Sequence, residues 1–397
     1  MKEKIKIFSV ILICSFAVHL SADARQPFIS AKAAVLMDYT TGAILYEKSP
    51  SLPHPPASLT KVMTIHILLE KIIAGEMSLS QVIVPPEESW AVNMPRDSSL
   101  MFLGPDQKLT IEDLLKGLAV SSGNDAAVAA ALLASGSVSA FADFMNAIAR
   151  KENFPEFLFH EPSGYDVNNR ITAMSFARFM RFYINRHPLV LERLHNIQEF
   201  TYPKKENLLA GNKSTPIAQT NRNNLLSAYP GVDGIKTGYL DESGYNIALT
   251  AQKDNRRLIV ILLGEPSVQS RNQNGIKLLD YGFDNFVNIE LKAPSSQLIR
   301  VWKGDPNTTT PLTSEKLIVT IPKGNELLLR GEISQLLYMT APVAKGEIVG
   351  EIKIFMDDTV LYKENMYCAD YIPRGSWWRI CIDSIIVFFR NLFGYPT

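Results

Sequence analysis

Val232-Asp233-Gly234-Ile235-Lys236-Thr237-Gly238-Tyr239 is the stretch from which the architecture can be read. A turn signal, Asp241-Glu242-Ser243-Gly244, follows it, then an apolar run from Tyr245 to Ala251, a second turn at Asp254-Asn255, and a third run from Leu258 to Leu263. Runs this close, separated only by turn residues, predict an antiparallel meander of three strands. Far upstream, Ala33 to Met37 and Ala43 to Tyr46 flank Asp38-Tyr39-Thr40-Thr41-Gly42 and predict a hairpin. Between these blocks, residues 58 to about 195 carry helical periodicity, as in Ile111 to Leu118 and Ala126 to Leu133. Strands, helices and strands again predict one antiparallel sheet covered by helices, with both ends of this stretch meeting in the sheet.

The first strand of the meander contains Lys236-Thr237-Gly238, and two other motifs precede it: Ser58-Leu59-Thr60-Lys61 and Ser122-Gly123-Asn124. Each supplies a different part of an acyl-transfer site built without histidine. A serine hydroxyl is a poor nucleophile until a neighbour takes its proton. Three residues apart on a helix, Lys61 lies beside Ser58 and can do so. Ser122 and Asn124 add a hydroxyl and an amide. Lys236 adds a fixed cation on a strand whose edge could pair with an extended peptide, and Gly238 would let that peptide approach.

Taken singly, each motif is weak: Ser270-Arg271-Asn272 also fits the second pattern. Alone, Ser58 would read as a helix cap with a solvated lysine one turn on, and Lys-Thr-Gly as a strand end with a turn glycine. Order and context decide otherwise. Pro55-Pro56-Ala57 stops a helix from extending backwards, so Ser58 should sit at a helix start. Val62, Met63, Ile65, Leu68, Leu69, Ile72 and Ile73 then predict a helix buried on most sides. At such an N-terminus, unpaired N–H groups and the positive dipole end favour developing oxyanion charge.

The chain has 397 residues, 46% of them hydrophobic, which excludes general disorder and allows more than one domain. Lys plus Arg and Asp plus Glu number 40 each, so a nucleic-acid partner has no electrostatic support. Lys2, Lys4 and Lys6, the apolar stretch from Ile7 to Leu20 and Ala22-Asp23-Ala24 predict a secretory signal peptide over residues 1–24. Beyond it only Cys368 and Cys381 remain, too few for a disulfide framework; both are expected as free thiols.

After residue 285 the texture changes. Short β-rich runs at Leu317 to Ile321, Glu326 to Leu329, Gln335 to Met339, Ile348 to Phe355 and Thr359 to Tyr362 predict a small all-β domain over 286–372, in sandwich form. The segment 373–397 closes the chain. On a helical wheel Trp377, Trp378, Cys381, Ile382, Ile385, Ile386, Phe388, Phe389, Leu392 and Phe393 fill one broad arc, with Arg379, Asp383 and Arg390 as a narrow stripe opposite. The pattern predicts an amphipathic helix lying in a membrane interface, too often interrupted by charge to span it. The alternative is a helix docked on the protein's own core.

Together these features resemble the low-molecular-weight penicillin-binding proteins, the D-alanyl-D-alanine carboxypeptidases of the SxxK serine peptidase type. The resemblance rests on Pro56-Ala57-Ser58-Leu59-Thr60-Lys61, Ser99-Leu100-Met101-Phe102-Leu103, Ser122-Gly123-Asn124-Asp125-Ala126, Val232 to Gly238 and Gly244-Tyr245-Asn246, and on the β-rich domain and amphipathic tail. It implies an α/β (α+β) penicillin-binding, transpeptidase-like domain over 25–285, with an antiparallel sheet covered by helices. It also implies removal of the terminal D-alanine from peptidoglycan stem pentapeptides through an acyl-enzyme, covalent inhibition by β-lactams, and a role in cell-wall biosynthesis at the outer or periplasmic face of a membrane. Ser58 would be the nucleophile, and Lys61 its base, with a pKa lowered by burial or by a second cation such as Lys236. Ser122 would relay a proton to the leaving amine, and Asn124 would hold the substrate amide and orient Lys61. Lys236 and Thr237 would bind the terminal carboxylate, with Gly238 on the same edge and Arg271 assisting. The N–H groups of Ser58 and Tyr239 would form the oxyanion hole. No metal and no cofactor are called for.

Other chemistries find less support. There is no Gly-x-Ser-x-Gly elbow and no His-Glu-x-x-His or Cys-x-x-Cys pattern, and His54 and His66 are expected to be structural. Class A β-lactamases carry a Glu-x-x-Leu-Asn segment that activates the hydrolytic water; Glu161-Pro162 begins like it, but Ser163-Gly164-Tyr165 does not continue it, so slow clearance of penicillin is expected. A membrane-tethered scaffold or sensor that acylates without turning over is the reading from a different class.

Overall fold

The computed structural model describes residues 26–393 apart from Pro294 and Glu315; the expected signal peptide lies outside the described residues. The chain divides into two compact units, Arg25–Asp284 and Asn285–Thr397.

In the first unit five strands form one sheet in the order β2-β1-β5-β4-β3, where β1 is Ala33–Asp38, β2 Ile44–Lys48, β3 Val232–Leu240, β4 Gly244–Lys253 and β5 Arg256–Glu265. All four pairings are antiparallel. The meander is therefore present, the N-terminal hairpin closes on its last strand, and β3 is left at an edge. Every residue of β1 is buried, as expected of a strand covered on both faces. One face, with Val35, Met37, Ile259, Ile261 and Leu263, belongs to a core shared with α1 (Lys61–Ile73), α2 (Ile111–Lys116), α3 (Asn124–Ser135), α4 (Val138–Lys151) and α5 (Ala173–Arg186). The other face carries α6 (Val268–Asn285), which the sequence reading did not separate out. Gly275 and Gly282, two turns apart, let it lie close: a Cβ at these positions would come within 2.7 Å of Leu249 and 2.6 Å of Leu258.

The expected helix Ile111 to Leu118 is regular only to Lys116; Gly117–Ser121 continue as a wider π-type turn that ends at Ser122. Such turns reposition the residues that follow them.

In the second unit, Leu329–Gln335, Ile348–Met356 and Thr359–Cys368 form antiparallel neighbours in a four-stranded sheet. Two smaller sheets pair Phe286–Lys292 with Lys316–Pro322, and Ile299–Trp302 with Thr308–Thr309 and Tyr338–Thr340. One core, including Ile299, Val301, Val319, Ile352 and Met366, serves all three. Two expected strands are corrected. Glu326–Leu328 is a 3₁₀ turn whose Leu327 and Leu328 face solvent, so strand begins only at Leu329. The run Gln335 to Met339 is broken, one strand ending at Gln335 and the next starting at Tyr338. The closing helix, α7 (Trp377–Leu392), is present. Among the described residues no single helix is long and apolar enough to cross a membrane.

Candidate active site

The two prolines before Ser58 do stop the helix: Ala57–Thr60 form a 3₁₀ turn and α1 starts at Lys61. Ser58 is thus set one turn ahead of Lys61, whose side chain is fully buried. The Lys61 Nζ donates to Ser58 Oγ at 3.1 Å, to Asn124 Oδ1 at 2.7 Å and to the Ser163 carbonyl at 2.6 Å. Burial pushes its pKa down to about 7, aided by the charge of Arg222 and opposed by Glu161 and Asp125. Lys61 can therefore exist as a neutral amine near neutral pH, with its lone pair beside a serine hydroxyl.

The second motif is held by its own chain. Ser122, buried, ends the π-type turn in a left-handed conformation (φ 58°), and Asn124 opens α3. Asp125, next in sequence, accepts from the backbone N–H groups of Met101, Phe102 and Leu103 at 2.7–3.0 Å and from that of Ala126 at 2.8 Å. It fastens the Ser99-to-Leu103 segment to the start of α3, and Asn124 adds a bond to Ser98 Oγ at 3.1 Å.

The third motif comes from the far end of the unit. Lys236 and Thr237 are buried on β3, and the Lys236 ammonium donates to the Thr237 carbonyl at 3.1 Å. Burial depresses the Lys236 pKa, and Lys61, Arg222 and Arg271 push it the same way. Arg271, buried on α6, donates to Asn272 Oδ1 and acts on Lys236 through its charge. Gly238 fixes the approach of β3 to Ser58: a Cβ there would lie 2.8 Å from the Pro56 carbonyl oxygen and 3.0 Å from the Ser58 nitrogen. From the next strand, the Asn246 amide donates to the Pro55 carbonyl at 2.9 Å and accepts from the Gly264 N–H at 2.8 Å, tying the turn before Ser58 to the sheet.

A cavity of about 440 Å³ opens at Ser58, its lining including Ser99, Asn124, Gly164, Tyr165 and Tyr239 as well as Asp97, Asp241 and Glu242. The expected residues Ser58, Asn124 and Tyr239 reach its surface; Lys61, Ser122, Lys236, Thr237 and Arg271 are buried. Tyr239 is half exposed and stacks on Tyr245 with ring centres 4.3 Å apart.

Three contributors were not anticipated. Ser163 works through its carbonyl, which no side-chain motif reports. Glu161 accepts from the backbone N–H groups of Ser163 (2.7 Å) and Gly164 (2.5 Å) and from the Asn169 amide (3.0 Å), so its carboxylate shapes the loop that aims that carbonyl. Arg222, outside every motif, lowers the pKa of both lysines. His54 and His66 have other partners. His54 Nε2 bonds the Ser243 carbonyl at 2.8 Å, and His66 joins His187 and Glu152 between α1 and α5. His66, Glu70 and His187 bring three possible metal ligands within 4.8 Å of one another, but both Glu70 oxygens already accept from Arg186 at 2.7 and 2.8 Å. The group reads as a clamp between helices.

Residues 21–267 match the family model described as D-alanyl-D-alanine carboxypeptidase, and residues 288–374 that of the penicillin-binding protein 5 C-terminal domain. The chain is 31% identical over 387 residues to D-alanyl-D-alanine carboxypeptidase DacC of Escherichia coli, covering 96% of this chain and 93% of the relative. Among solved structures it is similar to penicillin-binding protein 5 from Haemophilus influenzae (TM-score 0.79, 32% identity, 88% of this chain and 99% of the other). It is also similar to penicillin-binding protein D2 from Listeria monocytogenes in its cefotaxime-bound form (TM-score 0.57, 27% identity, 65% of this chain and 99% of the other).

Proposed function

Because this chain belongs to the D-alanyl-D-alanine carboxypeptidase family of serine enzymes, we propose that it removes the terminal D-alanine of peptidoglycan stem pentapeptides through an ester on Ser58. The observation that carries this reading is the fully buried Lys61 amine 3.1 Å from Ser58 Oγ. Neutral Lys61 takes the hydroxyl proton as Ser58 Oγ attacks the penultimate D-alanine carbonyl carbon. The oxyanion is met by the N–H groups of Ser58 and Tyr239; one such donor is typically worth about 3 kcal/mol in the transition state. Asn124 holds Lys61 in place through its Oδ1 and the substrate amide through its Nδ2. Ser122 passes a proton to the departing D-alanine nitrogen, and the C–N bond breaks. Lys236 and Thr237 hold the terminal carboxylate, whose negative charge restores the protonated state that burial of Lys236 disfavours. Arg271 backs that cation from α6. Water then cleaves the ester.

A β-lactam presents the same acyl-and-carboxylate pair and acylates Ser58 as a covalent inhibitor. Clearance is slow, because the Glu161 carboxylate is consumed by its own loop and is not free to activate a water. The enzyme works in cell-wall biosynthesis and remodelling, exported and held peripherally on a membrane surface by α7, whose large apolar side chains face outward.

Release of free D-alanine from diacetyl-Lys-D-Ala-D-Ala tests the reading. The wild type is expected to release it and Ser58→Ala to lose at least about a thousandfold of that rate. Labelling by penicillin without any release would make the protein a scaffold or sensor instead. Nitrocefin is expected to titrate the site and to be hydrolysed at well under about one turnover per second, the low end of ordinary enzymes; rapid hydrolysis would rank it with the β-lactamases.

A further inference from the structure

The clamp between α1 and α5 has the composition of a metal centre. His66 and Glu70 stand four residues apart on α1, hence on one face, and His187 caps the C-terminus of α5. His66 Nδ1 faces His187 Nε2 at 2.9 Å, and the same His187 nitrogen lies 3.6 Å from Glu70 Oε1. The three ligand atoms all fall within 4.8 Å of one another. A tetrahedral zinc ion with bonds of about 2.0–2.2 Å holds its ligands roughly 3.4 Å apart, so small side-chain shifts would close this set on an ion.

The surroundings prepare the rings for that role. His66 Nε2, on the far side of its ring, meets the Glu152 carboxylate at 3.0 and 3.1 Å. A carboxylate there holds the ring hydrogen on Nε2 and leaves the Nδ1 lone pair aimed at His187 and Glu70, the arrangement that orients metal-bound histidines. Phe179, Phe182 and Tyr183 pack around the buried His66 ring with centres 5.7, 5.7 and 6.2 Å away, which fixes its plane. Arg186 takes one lone pair of each Glu70 oxygen, at 2.7 and 2.8 Å, but a carboxylate offers about four such sites, so Oε1 keeps one for an ion. Glu70 and Glu152 set two negative charges against the single positive charge of Arg186, a balance that attracts a divalent cation. A cavity of about 220 Å³ has Leu69, Arg186 and His187 in its lining, which gives an ion a way in and room for water as the fourth ligand. On uptake, the hydrogen that His187 Nε2 shares with His66 Nδ1 moves to His187 Nδ1, so both facing nitrogens present lone pairs.

We propose that His66, Glu70 and His187 bind a zinc ion, with Glu152 as the partner that orients His66. Two imidazoles and one carboxylate suit zinc, whereas magnesium and calcium take oxygen ligands throughout. The ion is a brace and takes no part in peptide cleavage, for none of these residues lines the cavity at Ser58. It ties α1, the helix that begins with Lys61, to the end of α5. The inference stands apart from the carboxypeptidase reading and does not need it.

The test titrates the full chain, stripped with EDTA and dialysed, with zinc and separately with cobalt. One zinc ion per chain is expected to bind with a dissociation constant below about 10 μM. At a hundredfold excess over that constant the thermal midpoint should rise by about 5–10 °C. Cobalt should give the visible bands of a four-coordinate nitrogen and oxygen site without a thiolate charge-transfer band, because both cysteines belong to the other unit. His187→Gln should abolish the binding and the thermal shift, and Glu152→Gln should weaken affinity about ten- to a hundredfold. No binding by the wild type, a thiolate band with cobalt, or zinc binding that survives His187→Gln overturns the site. Because the wild-type titrations alone can sink it, a variant that fails to fold does not shield the proposal.

Discussion

At the scale of single residues, the group around Ser58 was legible because the proposed acyl transfer needs particular side chains, and side chains are what a sequence spells out. Ser58, Lys61 and Asn124 form one hydrogen-bonded set, although more than sixty positions separate the first from the last. Gly238 is legible for the opposite reason, since the close contact of β3 with Ser58 excludes a side chain there. The Ser163 carbonyl was not legible: a main-chain oxygen has no letter of its own, and its aim depends on the Glu161 loop. Lys61 leads to a pH prediction. As the proposed base it must be neutral to act, and its pKa of about 7 lies below the ordinary 10.5 because the charged form is buried. The neutral fraction therefore falls about tenfold per pH unit below 7 and saturates above it. Acylation by labelled penicillin should follow that curve, and a flat rate between about pH 5 and 8 would remove Lys61 as the base. By linkage, the cost of burying this amine is fully present below about 7 and is relieved as pH rises toward 10.5.

At the scale of elements, periodicity located helices and strands but did not assign their faces. The terminal helix shows why. A wheel divides α7 into a broad apolar arc and a narrow polar stripe without saying which side meets the protein. The polar stripe turns inward: Asp383 is buried, accepts from the Arg300 guanidinium at 3.2 Å and from the Lys303 N–H, and Arg390 lies over the Trp302 ring at 5.9 Å. Trp377, Trp378, Ile382, Ile385, Phe388, Phe389 and Leu392 are left exposed. Docking on an apolar core is thereby excluded for this helix, and a large apolar face is presented to the surroundings. The helix α6 was missed for a related reason: its two contact glycines look like breakers until the sheet they lie against is known. The exposed arc of α7 carries a prediction. Burying one Phe side chain is worth about 2 kcal/mol, and a charge in its place adds to the loss. Phe388→Asp should thus weaken binding to lipid vesicles by at least about tenfold and abolish the blue shift of Trp377 and Trp378 emission. Turnover of a soluble peptide should be maintained. Equal vesicle binding by both proteins would leave α7 without its proposed role.

For the whole molecule, the decisive feature is that the catalytic unit is closed by strands from its two ends. The alternation of strands, helices and strands made this closure readable, because a lone N-terminal hairpin has no apolar face to bury except against the later meander. The side-chain contacts that lock it were not readable, since they join β1 and the segment before it to residues more than two hundred positions later. At one end of β1, Asp38 is fully buried, accepts from Arg256 Nε at 3.0 Å at the start of β5, and also takes the Thr41 N–H at 3.0 Å. At the other, Ser30 and Asn274 both donate to Glu265, at 2.6 and 2.7 Å. Removing one partner of a buried pair leaves the other charge desolvated and uncompensated, which typically costs about 3 kcal/mol or more. Asp38→Ala should therefore lower the thermal midpoint by roughly 8 °C, taking about 2–4 °C per kcal/mol for a unit of this size. Catalysis at 25 °C should change far less, because Asp38 does not line the cavity that holds Ser58. Calorimetry of the full chain beside D-alanine release separates the two effects. A midpoint within about 1 °C of the wild type would mean that β1 is held by its apolar faces alone, and that the charged pair only trims the register of a sheet already closed.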